Sequence, residues 1–365
     1  MKSLIQFTLG LALLGLAIRP VSAAFTSFKV FGDSLSSTTS NSVSYPLSTN
    51  YYGKRYSNGR VWVEVLAQQQ GLPYIASNNL SYFGNYSSNV LKTLGTYTAP
   101  SDASNSLYVV WVNNADLFEA AANDGNTLSK WADDINQSQA NHFKIITNLW
   151  GKGVRTLVMP SAVDVSTIPQ FNISTAYTNT IHQQCLVYNA AFTNTINRAL
   201  TNCPGLVIYV PDYYALLADL LAFPANYGVT NALKNGVSID AVGDPVLVNK
   251  SPNGPGTNYI FWDYADPTAK VHYLMAGVAQ QLMSPVKIGQ LAAFPGSNRL
   301  DLVNVPVYTN SPLNGFVLVS TNLAAGNWTT NLTFSTTNTS QSVWVTNANP
   351  QSFYRLKFPY VWTWP

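Results

Sequence analysis

The sequence predicts an α/β fold, with a parallel sheet covered by helices over residues 24–285, followed by a small all-β module over 286–365. Three observations predict it. From Phe25 to about Ser284, short β-branched runs alternate with longer helical patterns. The later of those runs are almost continuously apolar, as strands buried on both faces must be. Beyond Pro285 the chain turns to Thr-, Val- and aromatic-rich runs broken by Asn, Gly and Pro.

In chain order, strands are expected at 27–31, 106–112, 155–159 and 206–210, the last three being the apolar ones. Helices are expected at about 61–70, 128–151, 176–200, 212–221 and 267–283. Pro267 suits the first helical position, where its missing N–H is no loss. In the module, GFVLVSTN, NWTTNLTFSTT, QSVWVTNA and SFYRLKF read as strands, without the fixed period of a repeat array.

Residues 4–18, LIQFTLGLALLGLAI, form an apolar run behind Lys2, and Val21-Ser22-Ala23 supplies a small-residue cleavage pattern. Residues 1–23 therefore read as a secretory leader, and the mature chain as secreted or extracytoplasmic. The run is shorter than the ~20 apolar residues that cross a bilayer, which argues against obligatory membrane insertion. The remaining length suits one large domain and a small one. Charged residues make up 10% of the chain, against an ordinary ~25%, with Asn, Ser and Thr in their place. A net charge of +3 without a Lys/Arg cluster leaves no footprint for nucleic acid.

Cys185 and Cys203 are the two cysteines. A helix through 176–200 separates them by roughly 25 Å, whereas a disulfide holds Cα atoms about 4.4–6.8 Å apart. Two buried free thiols are expected. The three histidines, at 142, 182 and 272, are too scattered for metal-ligand spacing, and no metal or other cofactor is implied.

Val30-Phe31-Gly32-Asp33-Ser34-Leu35-Ser36 sets a serine directly behind a predicted strand, at the carboxyl edge of the sheet, where α/β proteins form sites. Alone, the four-letter motif serves equally well as a turn or helix cap. Its surroundings add to it. Tyr56-Ser57-Asn58-Gly59-Arg60-Val61-Trp62, Tyr188-Asn189, Tyr227-Gly228-Val229-Thr230-Asn231, and Phe261-Trp262-Asp263 ahead of Asp266-Pro267-Thr268 and His272 follow in an order and spacing that resembles the GDSL (SGNH) family of serine esterases and lipases over residues 28–284. The resemblance implies a flavodoxin-like three-layer fold. It also implies a mechanism in which a serine attacks an ester carbonyl, a histidine takes the serine proton and an aspartate orients the histidine. Ser34 matches the nucleophile and Asp263 the orienting acid. The Ser34 and Gly84 backbone N–H groups match two donors of the oxyanion hole, completed in the family by an asparagine side chain.

Two positions depart from that pattern. The family's asparagine aligns with Ala115, and Asn114 stands one residue early in Trp111-Val112-Asn113-Asn114-Ala115-Asp116. On a strand that shift reverses a side chain, but a loop at a strand end re-aims Asn113 or Asn114 into the site, and Asn114 is taken as the candidate donor. The histidine position holds Asp266. Three readings stay open there. Asp266 serves only as the N-cap of a helix starting at Pro267. His272 acts as a displaced base, although six residues of helix put it about 9 Å along and 240° around. Or Asp266 itself takes the serine proton, which requires burial to raise its pKa. His142 and His182, inside helical patterns, read as structural.

The leading function is a secreted serine ester hydrolase acting on small-molecule, lipid or glycan acyl esters. The alternatives are a pseudoenzyme serving as a surface or carbohydrate-binding protein, and an adhesive role carried by the module. Oligomeric state stays open.

Overall fold

The computed structural model describes residues 25–38, 49–172, 175–305, 314–347, 349, 351–358 and 362–365, and the expected leader over 1–23 lies outside them. Strand β1 (Phe28–Gly32) is followed by α1 (Trp62–Gln69), α2 (Ser87–Thr96), β2 (Leu107–Trp111), α3 (Asn113–Asp124), α4 (Leu128–Gly151) and β3 (Thr156–Val158). Then come α5 (Thr175–Asn202), β4 (Val207–Tyr209), α6 (Tyr213–Ala222), a short hairpin of β5 (Leu233–Lys234) and β6 (Val237–Ser238), and α7 (Ala269–Met283).

Strands β1 to β4 form one parallel sheet in that order, with Val30 opposite Val109, Leu107 opposite Thr156, and Thr156 opposite Val207. A less regular segment adds to it. Asn79 bridges Val30 in parallel, and the N–H groups of Leu80 and Tyr82 donate to Val30 O and Gly32 O at 2.8 and 3.3 Å. With 79–82 taken as second in chain order, the spatial order becomes the flavodoxin-like 2-1-3-4-5, and the winding reverses between β1 and β2. A crevice at the carboxyl ends of the strands is expected at that reversal. The helices pack in two groups, α1 with α7, and α4 with α2, α3 and α5. They cover a sheet whose β2, LYVVW, is buried along its whole length, as its two-sided apolar sequence demands.

Helices α2 and α3 did not stand out in the sequence. The apolar residues of α2 are only Val90, Leu91 and Leu94, the rest being small or polar, and α3 starts at Asn113, one residue after the expected strand end at 112. Helix α7 begins at Ala269, with Thr268 in the cap position. Pro267 lies outside it, bridged to Phe261. The expectation that Asp266 caps this helix is therefore corrected: its carbonyl instead closes a turn, accepting the Trp262 N–H at 2.8 Å.

The module contains β7 (Lys287–Phe294), β8 (Ser297–Val303), β9 (Asn314–Ser320), β10 (Thr329–Ser335), β11 (Ser340–Thr346) and β12 (Phe353–Lys357). They form two antiparallel sheets, β11-β8-β7 and β10-β9-β12, around a separate core that includes Leu300, Leu302, Val317, Phe334, Val343 and Val345. Cys185 and Cys203 are buried free thiols.

Candidate active site

Gly32 ends β1 where a side chain has no room: a Cβ would stand 2.7 Å from Ser36 Cβ and 2.8 Å from Ser81 Oγ. Asp33 caps the turn that follows, Ser34–Ser36, accepting the Leu35 N–H at 3.0 Å. Burial pushes Asp33 up to about 7, even with the Leu35 and Ala115 backbone N–H groups favouring its charged form. This turn presents Ser34, 8% exposed, whose Oγ donates to Asp266 Oδ1 at 2.9 Å.

Asp266 reaches Ser34 because residues 263–266 fold on themselves. Asp263 Oδ1 accepts the N–H groups of Ala265 and Asp266 at 3.0 and 2.9 Å, and its Oδ2 accepts from Tyr51 OH at 2.9 Å. The two carboxyl groups also share a hydrogen bond. Burial raises Asp266 well above the ordinary carboxylate range, with the charge of Asp263 adding to it, and burial raises Asp263 as well. Adjacent like charges disfavour double ionisation, so the pair holds a proton. The three donors to Asp263 favour its charged form, while burial and the Asp263 charge favour the protonated form of Asp266.

Ser57-Asn58-Gly59 hold this turn from outside. Ser57 Oγ donates to Pro267 O at 3.0 Å, and Asn58 Oδ1 accepts the Ala269 N–H at 2.8 Å, satisfying the first turn of α7. Gly59 approaches so closely that a Cβ would lie 2.6 Å from Ala269 Cβ.

His272 is not part of this group. It is the fourth residue of α7, fully buried, and neither ring nitrogen has a hydrogen-bond partner. Since α7 is helical from Ala269, the loop that would swing this ring toward Ser34 does not exist, and the displaced-base expectation is corrected. Burial alone drives its pKa down to about 3. His142 stays within α4, its Nδ1 2.9 Å from Ser138 O. His182 reaches out of α5 to Asp164, beyond the end of β3, with Nδ1 and Oδ2 2.5 Å apart. No sequence periodicity signalled that pair.

Asn114 is the second residue of α3, not a strand residue, so strand alternation does not decide its direction. Val163 N–H donates to its Oδ1 at 3.0 Å. A backbone N–H only donates, which fixes the amide orientation and leaves Nδ2, buried and without a partner, as a free donor. Asn114 lines a cleft of about 470 Å³ together with Leu35, next to the serine, and Ala265 and Pro267, on either side of Asp266. Leu216, Leu217 and Leu220 of α6, with Ile168, Val271 and Met275, make the wall apolar. Trp111 and Tyr213 also line it, edge to face at 5.1 Å, and their polar atoms are committed to Ser161 O and Met275 O at 3.2 and 2.9 Å.

Gly84 follows the 79–82 segment in a left-handed turn at φ 74°, on the side of β1 away from β2. Asp116 serves the fold: its Oδ1 accepts the Ser87 N–H, at the start of α2, at 2.9 Å. Among the described residues no group of three His, Cys, Asp or Glu is arranged to hold a metal ion, and no helix is long and apolar enough to cross a membrane.

The model of the GDSL-like lipase/acylhydrolase family matches residues 29–278. The chain belongs to that family. Its curated relatives include the GDSL esterase/lipase EXL3 of Arabidopsis thaliana, 21% identical over 213 residues, covering 55% of this chain and 58% of the relative. Another is the thermolabile hemolysin of Vibrio parahaemolyticus, 23% identical, covering 67% of this chain and 60% of that one. The GDSL match thus spans about three fifths of the length of these relatives. Among solved structures, the extracellular lipase of Streptomyces rimosus aligns with 70% of this chain and 99% of its own, at 14% identity and a TM-score of 0.39.

Proposed function

We propose that this GDSL-family protein is an acyl ester hydrolase in which Ser34 is the nucleophile and the Asp266–Asp263 pair takes its proton. The observation that carries the reading is the 2.9 Å bond from Ser34 Oγ to Asp266 Oδ1, beside an apolar cleft holding one unpartnered donor, Asn114 Nδ2. An ester carbonyl oxygen meets Asn114 Nδ2 and the Ser34 and Gly84 N–H groups, while the acyl chain lies along the leucines of α6. Ser34 Oγ bonds to the carbonyl carbon as its proton passes to Asp266 Oδ1, and the proton shared by the pair passes to Asp263. Collapse of the tetrahedral intermediate breaks the ester C–O bond, and the proton returns to the departing alkoxide. Water repeats the cycle on the acyl-serine and releases the acid.

The apolar wall favours a lipid-like aliphatic acyl group over acetyl, since each buried CH₂ adds about 0.8 kcal/mol. Secretion belongs to the same reading, supported by the apolar run at 4–18 and Val21-Ser22-Ala23. N-terminal sequencing of protein recovered from the medium should begin at Ala24.

A competing reading, an acyl-binding scaffold without turnover, draws on one observation: among the described residues no imidazole bonds Ser34 Oγ. Hydrolysis of p-nitrophenyl esters from acetate to decanoate separates the two. Turnover that rises with chain length, vanishes in Ser34→Ala and falls by about 10²-fold or more in Asp266→Asn supports the hydrolase. A silent wild type whose Asp266→His variant becomes active supports the scaffold.

A further inference from the structure

The geometry points to helix α5 as the element that aims the oxyanion donor, with Asn189, Asp164 and His182 as positioning residues acting through the loop at 160–168. The inference rests on the reading above, in which Asn114 Nδ2 meets the ester oxygen. The orientation of the Asn114 amide hangs on the Val163 N–H, at 3.0 Å. That N–H belongs to the irregular stretch after β3, two residues beyond the last sheet-like bond, Ser161 N–H to Pro211 O at 3.0 Å.

What fixes it is α5, on both sides of Val163. The preceding residue, Ala162, is gripped at two points by one side chain: its N–H donates to Asn189 Oδ1 and its carbonyl accepts from Asn189 Nδ2, both at 3.0 Å. The following residue, Asp164, meets His182 Nδ1 through Oδ2 at 2.5 Å and accepts the Ser166 N–H and Oγ on Oδ1 at 3.1 and 2.6 Å. His182 and Asn189 are seven residues apart, about two turns, and so share a face of α5. The His182 side chain is 41% exposed, so core packing does not account for it.

A Val163 N–H displaced from this position frees the amide to turn its oxygen toward the cleft. An acceptor would then face the developing negative charge where a donor is required. Misplacement by about 1 Å is enough to cost about 10²-fold in rate.

The test is steady-state hydrolysis by Asn189→Ala, Asp164→Ala and His182→Ala in full-length protein, each alone and combined with Asn114→Ala. Each single change is expected to lower kcat by about tenfold with KM nearly unchanged, and Asp164→Asn to recover part of the loss. In the Asn114→Ala background the same changes are expected to lower kcat no further, because the group they aim is gone. Fully multiplicative losses, or single variants with wild-type kcat, overturn the positioning role and leave the hydrolase reading intact. Wild-type kcat in Asn114→Ala overturns the oxyanion assignment and the positioning role together. His182→Ala, at a half-exposed site, keeps the test decisive if Asn189→Ala does not fold.

Discussion

In the proposed reading a carboxyl pair, rather than an imidazole, takes the Ser34 proton, and this changes which ionisation limits the reaction. Asp263 must be charged to receive the relayed proton, and burial raises its pKa to about 6. Activity is therefore expected to fall about tenfold per pH unit below about 6. Tyr51 OH favours the charged form, so Tyr51→Phe should move this acid limb to higher pH in a kcat/KM profile. His272 bears on stability instead. Its pKa is about 3 in the fold against 6.5 in its absence, so between those values the unfolded chain binds a proton that the folded chain does not. This residue's contribution to stability is lost as pH falls from about 6.5 toward 3. His272→Leu should gain in Tm relative to wild type as pH drops from 7 to 4, by thermal denaturation. The placement of Ser34 in a turn at the end of β1 was legible in the sequence because its motif is local and sits behind a strand. That Asp266 rather than His272 bonds Ser34 Oγ was not, since it depends on residues 263–266 folding back on themselves, which no local pattern announces.

Among the elements, α6 decides what the cleft accepts. Leu216 lines it and is half-buried, so Leu216→Trp fills the cleft without a wholly enclosed site having to yield. The kcat/KM ratio of decanoate to acetate esters should fall at least about tenfold, with acetate hydrolysis little changed. The four sheet strands and five of the helices followed from apolar periodicity, which is strong wherever an element is buried on one or both faces. Helix α3 escaped because Val112 alone separates it from β2, so its asparagines read as a strand end. The 79–82 edge segment escaped because it is a bridge and two hydrogen bonds with no apolar run.

For the whole molecule, the two hydrophobic cores predict two separable stabilities. Leu302, almost fully buried in the module, should cost about 2–5 kcal/mol as Leu302→Ala, read as a lowered module transition in calorimetry, while ester hydrolysis persists. The module was legible from its later strands. Strands β7 and β8 were not, because β7 is largely exposed and the buried face of β8 begins with a polar residue, Asn298, leaving only Leu300 and Leu302 as its apolar signal. The chain also returns to its first domain: Trp364 Nε1 donates to Asn58 O at 2.8 Å and Arg60 Nε donates to Pro365 O at 3.0 Å, adding support to the loop that caps α7. Although the molecule carries a net charge of +3, Asp33, Asp263 and Asp266 lie buried around Ser34. In the proposed reading an ionised acid product meets the charge of Asp263 close to where it was formed, so end-product inhibition should be weak.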